Sequence, residues 1–185
     1  MKTYTIIAGI NGTGKSSLTG VLTNLLTDLG VVIDVDKLAA ANDGNNLLAG
    51  RIAIQHINDC LRRGICFTQE TTLSGHRTAH TARRAKDEGY YIRMYYVGLN
   101  SAEESIQRIA NRVRNGGHNI AASDVYRRYA NRIESLAAIL PYCDEVHFYD
   151  NHNGFVEVGE YRNGNIIPYR NAPQWLLDIA DSIGI

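Results

Sequence analysis

A glycine-rich segment near the N-terminus has the residues and spacing of a phosphate-binding loop. Gly9, Gly14, Lys15 and Ser16 match the pattern G-x-x-x-x-G-K-[ST]. In this pattern backbone N–H groups surround a β-phosphate, the lysine reaches the β and γ oxygens, and the hydroxyl ligates Mg²⁺. An apolar strand pattern precedes the segment and an amphipathic helix pattern follows it, and this context separates such a loop from an incidental Gly-Lys-Ser turn.

We therefore predict a nucleoside triphosphate site, with ATP and Mg²⁺ as cofactors and Ser16 as the metal ligand. The predicted nucleotide-binding residues are Gly9, Asn11, Gly12, Thr13, Gly14, Lys15, Ser16 and Ser17.

Two carboxylates, Asp34 and Asp36, follow an apolar strand pattern that starts at Val31. Ligands of open α/β sheets sit beyond the carboxyl ends of the strands, so both aspartates should lie on the same edge as the phosphate loop. Alternation puts them on one face if the strand continues that far. Such a carboxylate could order waters around Mg²⁺ or accept the proton of an attacking hydroxyl. The alternative is that one aspartate caps a short helix starting at Lys37, a role that suits one of them but not both.

The segment from Gln69 to Gly75 reaches the same edge after another strand pattern. Its carboxylate and hydroxyls, among them Glu70 and Thr72, suit hydrogen bonds to a sugar-like or polyol substrate. It is equally consistent with the sequence that Thr72 or Ser74 merely caps the next helix.

Arginines cluster on both sides of a flexible Asn115-Gly116-Gly117-His118 break. Two arginine-bearing helices joined by a mobile loop are typical of a lid, here residues 108–132, that closes over phosphates. Solvated helix faces paired with nearby glutamates are the alternative, and His118 is expected only to hydrogen-bond in place. The arginines concerned are Arg108, Arg112, Arg114, Arg127, Arg128 and Arg132.

The elements that would position these groups alternate between strand and helix patterns. Strands are predicted over 3–10, 31–35, 65–69, 90–97 and 145–149, and helices over 15–29, 46–63, 75–88, 101–114 and 123–140, with Gly30 ending the first helix. Alternation of this kind predicts an α/β fold, a parallel sheet of the P-loop NTPase or kinase type with helices on both faces. An Asn-Gly pair at 163–164 predicts a small hairpin, followed by a C-terminal helix, within 153–185.

Bulk composition limits the classes of function. The 185 residues, 44% of them apolar, are enough for a single domain with one buried core. The formal net charge is zero, so no overall field favours nucleic acid or an anionic membrane as partner. No stretch is long and apolar enough to span a membrane. Cys60, Cys66 and Cys143 lack metal-site spacing and are expected to be buried reduced thiols, which indicates a cytoplasmic location.

Taken together, these motifs resemble the zeta-toxin-like P-loop kinases, in particular the short bacterial branch known as predicted ABC-type ATPases. The matching segments cover roughly residues 4–151 and occur in the family's order. Three departures are Ile10 where relatives usually carry Pro, Asp34 where they commonly carry Asn, and Ala121 where a Pro often follows the Gly-Gly-His segment. The matching segments are residues 8–17, 33–36, 70–75, 112–118, 127–129 and 149–151.

The resemblance implies ATP/Mg²⁺-dependent phosphorylation of a hydroxyl group, which in the characterised zeta toxins belongs to a UDP-N-acetylated amino sugar. It implies Asp36 as the catalytic base, which also contacts the substrate, with Glu70 and Thr72 as further substrate contacts. Lys15, Arg112 and Arg128 would act on the phosphates. The implied partners are a small-molecule hydroxyl acceptor and an antitoxin protein.

Two other functions fit the same residues. One is a P-loop kinase of a different acceptor, such as a nucleoside, an antibiotic or a metabolite. The other is a nucleotide-dependent switch or ATPase acting through a protein partner. Asp36 discriminates between kinase and switch, because a switch needs no base aimed at an acceptor hydroxyl.

Overall fold

The computed structural model describes residues 1–184, so Ile185, the last residue of the predicted C-terminal segment, lies outside the described part. Seven strands form one sheet in the order β2-β3-β1-β4-β5-β6-β7. The first five strands are parallel, and β6 and β7 are antiparallel additions. The strands are β1 (Thr3–Ala8), β2 (Val31–Asp34), β3 (Phe67–Thr71), β4 (Tyr91–Gly98), β5 (Glu145–Asp150), β6 (Val156–Arg162) and β7 (Asn165–Pro168).

Helices cover both faces of the sheet, as predicted, but unevenly. One face carries the main core, to which α3, α4, α7 and α8 contribute, while α1 packs on the other face through Leu18 and Leu22. A third apolar cluster joins α5 and α6 to Ile10 of the phosphate loop. The helices are α1 (Lys15–Leu25), α2 (Val35–Ala40), α3 (Asn46–Arg63), α4 (Arg77–Asp87), α5 (Ala102–Arg114), α6 (Ala122–Ala130), α7 (Arg132–Ala137) and α8 (Gln174–Ile183).

The central strand β1 fixes the position of the phosphate loop. Every residue of β1 is buried, because parallel strands on either side and helices on both faces enclose it. The chain order reverses across β1, whose neighbours β3 and β4 lead to opposite halves of the sheet. A crevice therefore opens beyond its carboxyl end, where the phosphate loop begins.

Several predicted boundaries are wrong. The first helix ends at Leu25 instead of Leu29, and Gly30 lies in the turn before β2 with a positive φ of 61°. The predicted helix 123–140 is divided at Asn131 into α6 and α7, followed by a short 3₁₀ helix over Leu140–Tyr142. All three cysteines are free, but only Cys60 is fully buried.

The C-terminal hairpin forms where Asn163 and Gly164 predict it. Both residues have positive φ, 52° and 84°, as a two-residue type I′ turn requires. The hairpin extends the main sheet beyond β5 and does not form a separate layer. Within residues 1–184, no helix is long and apolar enough to cross a membrane.

Candidate active site

The phosphate loop is closely packed against three other elements. Gly12 and Gly14 have positive φ values of 78° and 97°. A Cβ on Gly12 would collide with Ser105 of α5, and one on Gly14 would collide with Asn151 after β5. Both positions therefore need glycine for their backbone conformation and for their surroundings.

The ammonium of Lys15 lies inside this loop and donates a hydrogen bond to the carbonyl of Ile10 at 3.0 Å. Burial lowers the pKa of Lys15 from 10.5 to about 8, although the carboxylates of Glu70, Asp36 and Asp34 act in the opposite direction. A neutral carbonyl is a weak partner for a partly desolvated ammonium. The Lys15 side chain is thus placed where an anionic ligand would stabilise its charge.

Glu70 lies at the carboxyl end of β3 and hydrogen-bonds to the first helix after the loop. The Ser16 hydroxyl donates to Oε2 at 2.8 Å, and the Thr19 hydroxyl donates to Oε1 at 2.5 Å. Glu70 is only 6% exposed. The carboxylate predicted to contact a substrate therefore lies beside the predicted metal ligand Ser16, and Thr19, which the sequence did not single out, helps to hold it there.

The two aspartates after β2 have different environments. Asp34 is buried at the last position of β2, and its Oδ1 accepts hydrogen bonds from the N–H groups of Asp36 and Lys37, at 2.9 and 3.3 Å. Asp34 therefore caps α2, which starts at Val35 and not at Lys37. Asp36 is exposed in the first turn of that helix. Because β2 ends at Asp34, the condition under which both carboxylates would share one strand face is not met.

Neither Thr72 nor Ser74 caps the next helix. Their hydroxyls hydrogen-bond to each other at 2.9 Å, whereas the residue before α4 is His76, which makes no side-chain cap. The capping alternative is therefore wrong. Thr72 faces the cleft with Gln69 and Thr71 beside it.

The two predicted lid arginines approach the phosphate loop from α5 and α6. Arg128 donates to the side-chain oxygen of Asn11 in the loop, and its Nε is buried without a hydrogen-bond partner. Arg112 is exposed and donates to the carbonyl of His118 at 2.7 Å, across the glycine break. Arg128 is thus already at the loop, while Arg112 holds the segment that was predicted to hinge.

Of the remaining arginines, Arg108 lines the cleft, whereas Arg114, Arg127 and Arg132 do not. Arg127 pairs with Asp124 at 2.6 Å on an exposed face, and Arg132 stacks on the Tyr129 ring. Arg108 forms an ion pair with Glu104 at 2.9 Å and also donates to the carbonyls of Asn151 and His152.

One open cavity of about 670 Å³ brings most of the predicted residues together. It lies between the strand ends of β2 and β3, the phosphate loop and the α5–α6 region. Gly9 and Thr13 do not line the cavity; the Thr13 hydroxyl instead donates to the Ile10 carbonyl within the loop. The predicted residues that line the cavity are Asn11, Gly12, Gly14, Lys15, Ser16, Ser17, Asp34, Asp36, Glu70, Thr72, Arg108, Arg112 and Arg128.

Two residues that support the loop were missed as site residues. The Asn151 amide donates to the Thr13 carbonyl at 2.7 Å, and the Ser105 hydroxyl donates to the Asn11 carbonyl. Both contacts are distant in sequence, so no local spacing could have revealed them. Both bonds fix the backbone of the predicted phosphate loop in this conformation.

The oxygen groups near Ser16 fit Mg²⁺. Within residues 1–184, no three His, Cys, Asp or Glu side chains form a metal cage. Mg²⁺ rarely uses such cages, because it usually takes one or two carboxylates and keeps several waters. The Ser16 hydroxyl, with its proton directed to Glu70, has lone pairs free for a cation, and the carboxylate of Glu70 is next to it.

The sequence of this chain is similar to that of a known bacterial protein. No family model matches the chain. It is 36% identical over 126 residues to an uncharacterised protein of Haemophilus influenzae, a match that covers 65% of this chain and 88% of that protein.

Two of the solved structures with a similar fold cover almost all of this chain. One belongs to the PezAT chromosomal toxin–antitoxin system of Streptococcus pneumoniae, with a TM-score of 0.59 and 16% identity, covering 99% of this chain and 78% of the other. The second is AvrRxo1-ORF1:-ORF2 with ATP, with a TM-score of 0.70 and 14% identity, covering 100% of this chain and 65% of the other. The chain therefore belongs to the same family as the Haemophilus influenzae protein and has the zeta-toxin-like P-loop kinase fold.

Proposed function

We propose that this protein transfers the γ-phosphoryl group of ATP, with Mg²⁺, to a hydroxyl group of a small molecule. The observation that carries the proposal is the single cavity shared by the phosphate loop, the exposed carboxylate of Asp36 and the lid arginines. A nucleotide switch would need the loop and a group that positions water. It would not need an exposed carboxylate across the cleft from the site of the γ-phosphate.

The loop would hold the triphosphate. Its backbone N–H groups and the start of α1 would surround the β-phosphate, and Lys15 would exchange its bond to Ile10 for the β and γ oxygens. Ser16 and Glu70 would hold Mg²⁺. When bound, the cation would neutralise charge on the phosphate oxygens. The solved AvrRxo1 complex with ATP supports nucleotide use within this fold.

Asp36 would act on the acceptor. As the acceptor oxygen forms a bond to the γ-phosphorus, the bond from that phosphorus to the β,γ-bridging oxygen breaks, and ADP leaves with the electron pair. The acceptor proton moves to the Asp36 carboxylate. Arg112 and Arg128 would stabilise negative charge on the transferring oxygens, for which the planar guanidinium fork is suited.

For the acceptor, the family resemblance favours a UDP-N-acetyl amino sugar. Thr72 and its neighbours Gln69 and Thr71 offer neutral hydrogen-bonding groups at the cleft wall, which suit sugar hydroxyls. We propose an antitoxin-like protein as the partner, because the PezAT structure is described as that of a toxin–antitoxin system. The free cysteines and the use of ATP fit a cytoplasmic location.

The experiment is to incubate the protein with γ-labelled ATP and a panel of UDP-sugars, nucleosides and amino sugars. Label on one hydroxyl compound, lost in the Asp36→Asn variant, is the expected result. Release of all label as inorganic phosphate, at a rate set only by an added protein partner, would instead establish the switch.

A further inference from the structure

Asp34 carries a buried oxygen that its capping role does not use. The residue is 7% exposed, and its Oδ1 makes both capping bonds to α2. Its Oδ2 is buried and has no hydrogen-bond partner. The nearest cation is Lys37 Nζ, 3.9 Å away on a side chain that is 67% exposed. That distance is too long for a hydrogen bond.

Capping does not require the second oxygen. Asparagine caps helices about as well as aspartate, because one side-chain oxygen accepts both backbone bonds. What aspartate adds is a negative charge on a buried atom that has no hydrogen bond and only an exposed lysine 3.9 Å away, and burial of a weakly compensated charge is costly. A charge kept at that position therefore needs a compensating ligand.

A second buried carboxylate lies beside it. Asp34 of β2 and Glu70 of β3 are direct partners in the parallel register, so their side chains leave the sheet on the same face. Both line the cavity with Ser16. Like charges placed opposite each other on neighbouring strands repel, and here both are less than a tenth exposed.

The cations of the cavity do not hydrogen-bond to this pair. Asp34, Asp36 and Glu70 all act on the Lys15 ammonium, and Arg128 is the other cation that does. Arg108, Arg112 and Arg128 also line the cavity, but they are hydrogen-bonded to Glu104, to the His118 carbonyl and to Asn11. A divalent cation would neutralise the two neighbouring carboxylates, since buried carboxylates are paired or coordinate metals.

We propose that Asp34 and Glu70 bind a divalent cation, Mg²⁺ or Mn²⁺, together with the Ser16 hydroxyl and water, before any nucleotide enters. In a loop that relies on the nucleotide to bring its metal, Mg²⁺ is held largely by phosphate oxygens. Here the chain would supply two carboxylates of its own. The site shares the cleft of the proposed kinase, but its test contains no nucleotide and no acceptor, so either idea can fail without the other.

The test is to titrate four proteins with Mn²⁺ and to measure the free ion by its electron paramagnetic resonance signal. The proteins are wild type, Asp34→Asn, Glu70→Gln and Asp124→Asn. Asn at 34 keeps the cap and the volume and removes only the charge. Asp124→Asn is the matched control, since Asp124 also lines the cleft but is 43% exposed and paired with Arg127.

Wild type and Asp124→Asn should bind one Mn²⁺ per chain, and the other two variants should bind it roughly tenfold more weakly or not at all. Mn²⁺ should also raise the melting temperature of wild type and Asp124→Asn but not of Asp34→Asn, whose own melting temperature without metal should equal or exceed that of wild type. Absence of nucleotide-free Mn²⁺ binding in wild type, or equal binding in Asp34→Asn, would overturn the proposal and leave Asp34 a helix cap.

Discussion

The cleft has two walls that differ in how firmly they are built. The strand wall consists of the phosphate loop and the ends of β2 and β3, where Asp34 and Glu70 are buried and hydrogen-bonded. The lid wall consists of α5, α6 and the segment between them. There Arg112 is exposed and bound to the carbonyl of His118 within its own loop.

This difference between the two walls indicates which groups bind the nucleotide and which act on the transition state of phosphoryl transfer. Glu70 on the strand wall is held by Ser16 and Thr19, and Asp34 by the backbone N–H groups of α2, so both carboxylates are in place before a ligand arrives. The segment 115–119 is exposed apart from Gly117, and it contains Gly116 with a positive φ of 83°. We therefore expect the strand wall to control nucleotide binding and the lid wall to act mainly on the transition state.

The largest expected effect comes from the centre of the strand wall. Lys15→Ala should reduce phosphoryl transfer to background and greatly weaken MgATP binding, because the charge that neutralises the β and γ oxygens is lost. Isothermal calorimetry and a transfer assay would measure both. Lys37→Ala, which removes an exposed ammonium on the same side, should behave like wild type. Unchanged MgATP affinity in Lys15→Ala would disprove the assignment of the loop.

The next effect tests whether the exposed carboxylate at the edge of the strand wall does chemistry. Asp36→Asn keeps size and hydrogen-bonding reach but removes basicity. Transfer should fall by about 10²–10⁴-fold, as is typical for loss of a general base, while MgATP still binds. A transfer rate close to that of wild type would mean that Asp36 only orders water or the start of α2.

Smaller effects are expected on the lid wall. Arg112→Lys and Arg128→Lys keep the charge but lose the planar fork, so turnover should fall by roughly 10–100-fold, the value of one charged hydrogen bond. The affinity for MgATP should change little, which a comparison of kcat with the nucleotide dissociation constant would show. Arg127→Lys is the control, because Arg127 pairs with Asp124 on the surface. Wild-type turnover in both test variants would make these arginines surface ion pairs.

The smallest effect is a pH dependence of nucleotide binding. Burial lowers the pKa of Lys15 to about 8 in the free protein, and bound phosphates would raise it again. The protonated form binds better, so MgATP affinity should be greatest below the free pKa and fall as the pH rises above about 8. Calorimetry above that pH, in two buffers of different ionisation enthalpy, should show proton uptake on binding. Binding without proton uptake would contradict a lowered pKa at Lys15.

The parts of the molecule that depend on local sequence were predictable. Helix α3 begins and ends as predicted over 46–63, because Asn45 caps its start and Gly64, with a positive φ of 64°, ends it. The phosphate loop and its flanking elements follow from a motif whose geometry is largely local. The alternation of strands and helices predicted the parallel sheet and its class.

Features that depend on contacts between distant residues were not predictable. No Gly or Pro marks the break at Asn131, where the chain turns between α6 and α7. The bonds from Ser16 and Thr19 to Glu70 join residues more than fifty positions apart. The sequence therefore suggested Glu70 as a substrate contact, whereas the structure places it beside Ser16, the predicted metal ligand. The support from Asn151 to Thr13 spans an even longer separation.

Hydrogen exchange tests the contrast between the two walls most directly. Amide exchange would be followed by mass spectrometry in the free protein, with a non-hydrolysable ATP analogue, and with the analogue and acceptor together. Residues 67–71 of β3 should be protected throughout, whereas residues 115–118 should exchange fast in the free protein and slow clearly only when both ligands are present. Equal exchange of residues 115–118 in all three samples would contradict a lid that closes over the transferring phosphate.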